Sequence, residues 1–131
     1  SAFFGGGGGL ASTRGPAKPD VAAVTSVANA LGGASSVNLL LTGHSHFDHS
    51  FDTATWSRLT GAPVMGSATT CFQVAAEGIP ADRCRPILGG EAIALGDGVR
   101  MRVIRWNHSG DPATNPEQHD AVELLRRYVH A

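Results

Sequence analysis

Between Pro19 and Glu77 the sequence alternates helical and strand patterns, and this order limits the folds that are open to the chain. Apolar residues recur at three- and four-residue steps from Val21 to Leu31, which predicts a helix that ends at Gly32-Gly33. The further predicted elements are the strand Ser36–Thr42, a helix that begins at Asp52 or Thr53 and ends before Gly61, the strand Ala62–Met65 and the helix Thr69–Glu77. Such an alternation is typical of a layered α/β domain.

After residue 90 the pattern changes to that of a β-hairpin. The strands Glu91–Leu95 and Val99–Val103 flank a turn at residues 96–98 that contains two glycines. The second strand alternates apolar residues with arginines, which predicts one buried face and one solvent-facing side. This alternation stops at Ile104, where we expect a bulge or a bend.

The length of 131 residues allows one domain with a single core, so we treat residues 1–131 as one domain. Residues 1–17 are predicted to be a glycine-rich loop, because five glycines follow one another at Gly5–Gly9. A terminal helix is predicted near Val122–Val129. The 42% of hydrophobic residues excludes an intrinsically disordered chain.

Charge and hydropathy exclude two classes of partner. The chain has 10 basic and 11 acidic residues, and a net charge of −1 provides no basic surface for nucleic acid. No apolar run approaches the roughly 20 residues that a membrane span needs, and we see no signal peptide. The sequence does not decide the compartment, although the cytoplasm is slightly favoured over the periplasm or secretion.

The chain has two cysteines, Cys71 and Cys84, which are 13 positions apart. Because they form no C-x-x-C pair, they cannot supply a zinc site of their own. We expect two reduced, mostly buried thiols, and a disulfide between them is the alternative.

Three histidines and one aspartate follow the strand Ser36–Thr42, whose short, mostly apolar run predicts burial on both faces of a sheet. They form the pattern H-x-H-x-D-H at His44, His46, Asp48 and His49. In extended backbone the first two imidazoles project to the same side, whereas on a helix they would diverge by about 200°. The last two residues come where the chain turns into the next helix, so two adjacent metal sites fit the spacing better than one.

The donor types also favour metal binding. Imidazole and carboxylate are ligands for zinc, and also for iron, manganese or nickel. The C-terminal end of a buried strand is where open α/β sheets place their binding sites. The weaker alternative is a structural role in which these side chains only cap the turn.

The segment Thr42–His49 resembles the signature of the metallo-β-lactamase superfamily of metal-dependent hydrolases. A second segment, Asn107–Gly110, is similar to the third-histidine segment of that family, which follows a β-hairpin. The resemblance covers roughly residues 36 to 112. It implies an α/β fold of the metallo-β-lactamase type, a four-layer α-β-β-α sandwich of which this chain contains only a part.

Carried over residue by residue, the resemblance implies that His44, His46 and His108 bind one metal ion and that Asp48 and His49 bind a second. The implied metal is zinc, as one or two ions, with iron or manganese as alternatives. Asp48 would also act in catalysis, as the group that orients the attacking water or accepts its proton. The family's bridging acidic residue and last histidine have no convincing counterpart in this sequence.

The activity implied by the resemblance is hydrolysis of an ester, lactone, amide or phosphodiester bond in a small-molecule substrate by a metal-bound hydroxide. Two alternatives stay open. One is an iron-containing oxidoreductase on the same fold. The other is a non-catalytic metal-binding fragment that associates with partners or forms a homo-oligomer, because a partial sandwich exposes apolar sheet edges.

Overall fold

The structure, a computed structural model, describes residues 18–105, which fall into two compact units, residues 18–88 and residues 89–105. The predicted glycine-rich loop 1–17, the predicted terminal helix and the segment that contains His108 lie outside the described residues. The single domain over residues 1–131 therefore stays a prediction.

The first unit alternates helices and short strands in the predicted order. Its elements are α1 (Val21–Ala30), a 3₁₀ turn (Ala34–Ser36), β1 (Leu40–Leu41), α2 (Phe47–Ser50), α3 (Thr53–Thr60), β2 (Val64–Gly66), α4 (Ala68–Ala76), a second 3₁₀ turn (Ala81–Arg83) and β3 (Cys84–Pro86). The mixed α/β class is therefore confirmed. Within the described range, every helix is too short or too polar to cross a bilayer.

The helices begin and end close to the predicted positions, because local capping residues determine their ends. The carboxylate of Asp20 accepts a hydrogen bond from the backbone N–H of Ala23 at 3.0 Å and caps α1. The hydroxyl of Ser67 caps α4 in the same way, by accepting from Thr70 N–H at 3.1 Å. Helix α3 ends at Gly61, whose φ of 74° lies in the left-handed region that favours glycine.

Three parallel strands form the sheet of the first unit, in the order β1-β2-β3. Leu40 pairs with Val64, and Val64 pairs with Cys84 on its other side. Strand β3 was not predicted, because the three residues Cys-Arg-Pro are too few to show an alternating or continuous apolar pattern.

Strand β1 is shorter and more exposed than predicted. Only Leu40–Leu41 is a strand, and Leu41 is 57% exposed, so the prediction that Ser36–Thr42 is a strand buried on both faces is wrong for the described residues. β1 lies at one edge of the three-stranded sheet, and successive side chains point to opposite faces. Leu40 packs against the core, whereas Leu41 lies on the face that residues 18–88 leave open.

The core of the first unit lies between α3, α4 and the sheet. Its buried apolar side chains are Ala54, Val64, Val74, Ile79 and Cys84. Helix α1 contacts α3 and buries Val24 and Ala28. The core is small, and it includes polar groups that are paired internally: the fully buried hydroxyl of Ser57 donates to the carbonyl of Ala62 at 2.9 Å.

A disulfide joins Cys71 of α4 to Cys84 of β3, with the two Cα atoms 5.4 Å apart. The expectation of two reduced thiols is therefore wrong, and the alternative is what the structure contains. Helix α4 crosses from β2 to the parallel strand β3 and packs on both. This return brings the two residues together, although the spacing in the sequence does not reveal it.

The second unit is the predicted hairpin, with strands β4 (Ala92–Gly96) and β5 (Val99–Arg102). Its irregularity falls between Ala94 and Gly96, and not at the predicted Ile104, because the left-handed residues of the turn begin at Gly96 and shift the register there. The prediction that β5 buries its apolar side is wrong for Val99, which is exposed. The buried hairpin side chain is Ile93 of β4.

Removal of the disulfide by Cys71→Ala with Cys84→Ala should lower the free energy of unfolding by about 2–4 kcal/mol, because the cross-link restricts the unfolded chain. Denaturant unfolding with and without a reducing agent measures this. The reducing agent should destabilise the wild type and leave the double variant unchanged, since the chain has no other cysteine. Superimposable curves for the reduced and untreated wild type would contradict the disulfide.

Gly66→Ala should destabilise the fold by about 1–3 kcal/mol, because a Cβ at this position would lie 3.0 Å from the Cβ and Cγ2 atoms of Thr70 on α4. The matched control is Gly43→Ala, where a Cβ would meet nothing within 4 Å. Neither glycine has a positive φ, so the comparison isolates packing from backbone strain. Equal midpoints in thermal unfolding of the two variants would contradict the close packing of α4 on β2.

Candidate metal centre

The loop between β1 and α2 carries the four side chains of the H-x-H-x-D-H pattern. The chain leaves β1, bends at Gly43 and His44, and enters α2 at Phe47. The first two histidines of the pattern therefore lie on the loop, while Asp48 and His49 lie in the short helix α2. All four donors therefore lie in the short segment 44–49, which follows strand β1.

His44, His46 and Asp48 form a group with the geometry of a metal site. Each offers one ligand atom, and these atoms lie within 4.8 Å of one another. The two imidazole rings meet edge to face, with centroids 4.8 Å apart. Ligand atoms of a tetrahedral zinc ion are about 3.4 Å apart, because each lies about 2.0–2.1 Å from the metal. The three ligand atoms therefore lie farther apart than those around a bound zinc ion, and the side chains would have to rotate toward one another to share one ion.

His49 lies beside this group. Its Nε2 atom is 3.4 Å from Oδ2 of Asp48, and its ring centroid is 3.9 Å from that of His44. The structure therefore brings the four residues His44, His46, Asp48 and His49 together, and we call them the ligand cluster. How these ligands divide between one and two ions stays a prediction.

The ligand cluster is open to solvent. The side chains of Asp48 and His49 are 55% and 49% exposed, His46 is exposed, and His44 is half-buried. Within residues 18–105, the backbone therefore leaves these donors accessible to water.

Hydrogen bonds to two backbone carbonyls hold the loop. The carbonyl of His46 accepts from the N–H groups of His49 and Ser50, each at 3.0 Å, and the Ser50 hydroxyl lies 3.0 Å from the same oxygen. The carbonyl of Ser45 lies 3.2 Å from the Ser50 hydroxyl and accepts from Nε2 of Gln73 at 3.0 Å. The backbone around His46 is therefore fixed by both local and distant groups.

Ser50 and Gln73 are site residues that the sequence analysis missed. A signal for Ser50 exists, because a serine inside a helix commonly bonds the carbonyl four residues earlier. Gln73 lies on α4, 28 positions from Ser45, and no local pattern reveals a contact over that separation.

The fifth predicted metal ligand, His108, lies outside the described residues, so its place in the site stays a prediction. The catalytic role of Asp48 also stays a prediction. The structure places its carboxylate beside His44, His46 and His49.

Comparison with known proteins finds relatives named UPF0173 metal-dependent hydrolase. The protein from Pyrobaculum islandicum is 38% identical over 72 residues, which are 55% of this chain and 32% of the relative. The proteins from Pyrobaculum arsenaticum and Pyrobaculum calidifontis are 40% and 38% identical over 78 residues, 60% of this chain and 34% of each relative. No family model matches the chain, and no solved structure matches it.

The names of these relatives include metal dependence, which is consistent with the metal-binding donor types of the ligand cluster. The matched part of the chain spans about a third of the length of the curated relatives. Over slightly more than half its own length, the chain is therefore similar to proteins named metal-dependent hydrolases.

Proposed function

We propose that this chain is part of a metal-dependent hydrolase of the metallo-β-lactamase type, with its metal centre at the ligand cluster. The observation that carries the proposal is that the ligand atoms of His44, His46 and Asp48 lie within 4.8 Å of one another. The names of the relatives, metal-dependent hydrolases, support the same function.

The donor set fits zinc. Imidazole nitrogens and a carboxylate oxygen are ligands that zinc takes in proteins, and iron and manganese accept the same donors. We assign His44, His46 and His108 to one ion and Asp48 and His49 to a second. The carboxylate of Asp48 lies near the donors of both groups, so it can serve either ion.

The residues of this chain have two tasks in the proposed hydrolysis, to hold the ligands and to move a proton. Lewis acidity from a bound divalent ion would activate water at neutral pH and polarise the bond that is cleaved. The exposed carboxylate of Asp48 orients the attacking water and accepts its proton. We assign to His49, whose Nε2 atom is 3.4 Å from Oδ2 of Asp48, the task of orienting that carboxylate. The substrate that we propose is a small-molecule ester, lactone, amide or phosphodiester.

The second candidate function is a metal-binding segment that associates with another chain or with a second copy. Large apolar side chains on the described surface favour it: Leu41, Phe72, Leu88 and Ile104 are exposed. Sedimentation combined with a screen of generic ester and phosphodiester substrates separates the candidates. A monomer with turnover supports the hydrolase, and an inert oligomer supports the associating segment.

His46→Ala should weaken metal binding by on the order of tenfold or more while the protein stays folded, because His46 lies on an exposed loop and not in the core. Elemental analysis after gel filtration gives the metal content, zinc titration gives the affinity, and circular dichroism monitors the fold. His130→Ala, at a histidine that is not assigned as a ligand, is the matched control. An unchanged metal content in His46→Ala would contradict the proposed site, and iron in the wild type would favour an oxidoreductase.

His108→Ala tests the ligand from the second motif by the same zinc titration. We expect a loss of affinity comparable to that of His46→Ala, because both residues are assigned to one ion. If His108→Ala binds zinc as tightly as the wild type, His108 is not a metal ligand, and the proposed ligands are those of the ligand cluster.

A further inference from the structure

Gln73 connects helix α4 to the loop that carries the metal ligands. Its Nε2 atom donates a hydrogen bond to the carbonyl oxygen of Ser45 at 3.0 Å. Ser45 stands between His44 and His46 in the chain, so this carbonyl belongs to the backbone that sets the spacing of the two imidazoles. The contact spans 28 positions and depends on tertiary packing.

Helix α4, which carries Gln73, is anchored to the core of the first unit by packing and by the disulfide. Thr70 and Val74 are buried, and the helix packs on β2 and β3. Cys71, two positions before Gln73, is bonded to Cys84 of β3. A group whose own element is anchored by packing and by a covalent bond can fix a loop more closely than a group on an exposed segment.

Ser50 holds the same carbonyl in a different way. Its hydroxyl lies 3.2 Å from the oxygen of Ser45, but Ser50 belongs to α2, which follows His46 directly. Ser50 therefore moves together with the ligand cluster. Gln73 ties the loop to a separate element, and only a tie of this kind restricts the loop relative to the core.

The Oε1 atom, at the other end of the Gln73 amide, indicates that this residue does more than stabilise the fold. Its Oε1 atom is buried and accepts no hydrogen bond within residues 18–105. A buried carbonyl oxygen without a donor lowers stability, and an apolar side chain of the same shape would not carry that cost. The hydrogen bond at one end of the amide is therefore offset by the unpaired oxygen at the other, and glutamine brings little net stability at this position.

We propose that Gln73 is a positioning residue for the metal centre. By holding the carbonyl of Ser45 on α4, it sets the separation and orientation of the imidazoles of His44 and His46 and raises their affinity for one ion. It acts through the backbone and binds neither metal nor substrate. This inference rests on the proposed function, because it requires a metal ion at the ligand cluster.

Gln73→Met tests the inference, because methionine has nearly the same length and removes both the donor and the buried oxygen. Zinc titration should show an affinity at least about tenfold below that of the wild type, in the range expected for groups that orient metal ligands. Denaturant unfolding of the metal-free variant should show a midpoint close to that of the wild type, because the lost hydrogen bond to Ser45 and the removed cost of the buried oxygen offset each other. Affinity and stability therefore move independently, which a purely structural role does not produce.

The control is Ala76→Met, which adds the same side chain at an exposed position of α4 and should leave both quantities unchanged. Equal zinc affinity in Gln73→Met and the wild type would overturn the positioning role and leave the proposed function intact. A parallel loss of stability and affinity would also overturn it. If the wild type itself binds no zinc, or if His46→Ala binds as tightly as the wild type, the metal centre fails and this inference fails with it.

Discussion

The packing of α4 on β2 and β3 is the contact on which the first unit depends. It buries Val64 and Val74, which belong to the apolar core, and it brings Cys71 to Cys84. The absence of a side chain at Gly66 allows the helix to approach the strand closely. The strands have only two or three residues each, so their backbone hydrogen bonds alone provide little stability. Apolar contacts with α4, which contributes Val74 and Cys71 to the core, add to it.

The elements that the sequence predicted are those whose ends are determined locally. Asp20 and Gly61 mark helix ends through a side-chain cap and a left-handed backbone, and both effects act within a few residues. Strand β3 and the disulfide depend on contacts between segments that are distant in the sequence. Hydrophobic periodicity predicts single elements and not such contacts. The exposure of Leu41 has the same origin, since burial of its face depends on what lies beside β1.

In the candidate site, too, the locally determined features were predicted and those that depend on tertiary contacts were not. Four donors of the ligand cluster were predicted from their spacing, because side chains so close in sequence at a strand end have few ways to separate. The residues that hold the loop were missed, and Gln73 could not have been found, because its contact with Ser45 depends on the position of a whole helix. The donors of the candidate site therefore come from a local motif, while the geometry of their loop depends on the tertiary fold.

The covalent link between α4 and β3 has a practical consequence for work on this protein. It begins at Cys71, in the helix that also supports the loop of metal donors. Protein purified with a thiol reductant would lack the disulfide that air-oxidised protein contains. The two samples would therefore differ at α4, the helix whose Gln73 holds the loop of donors. Metal contents from two preparations are comparable only when the oxidation state of the thiols has been recorded for each.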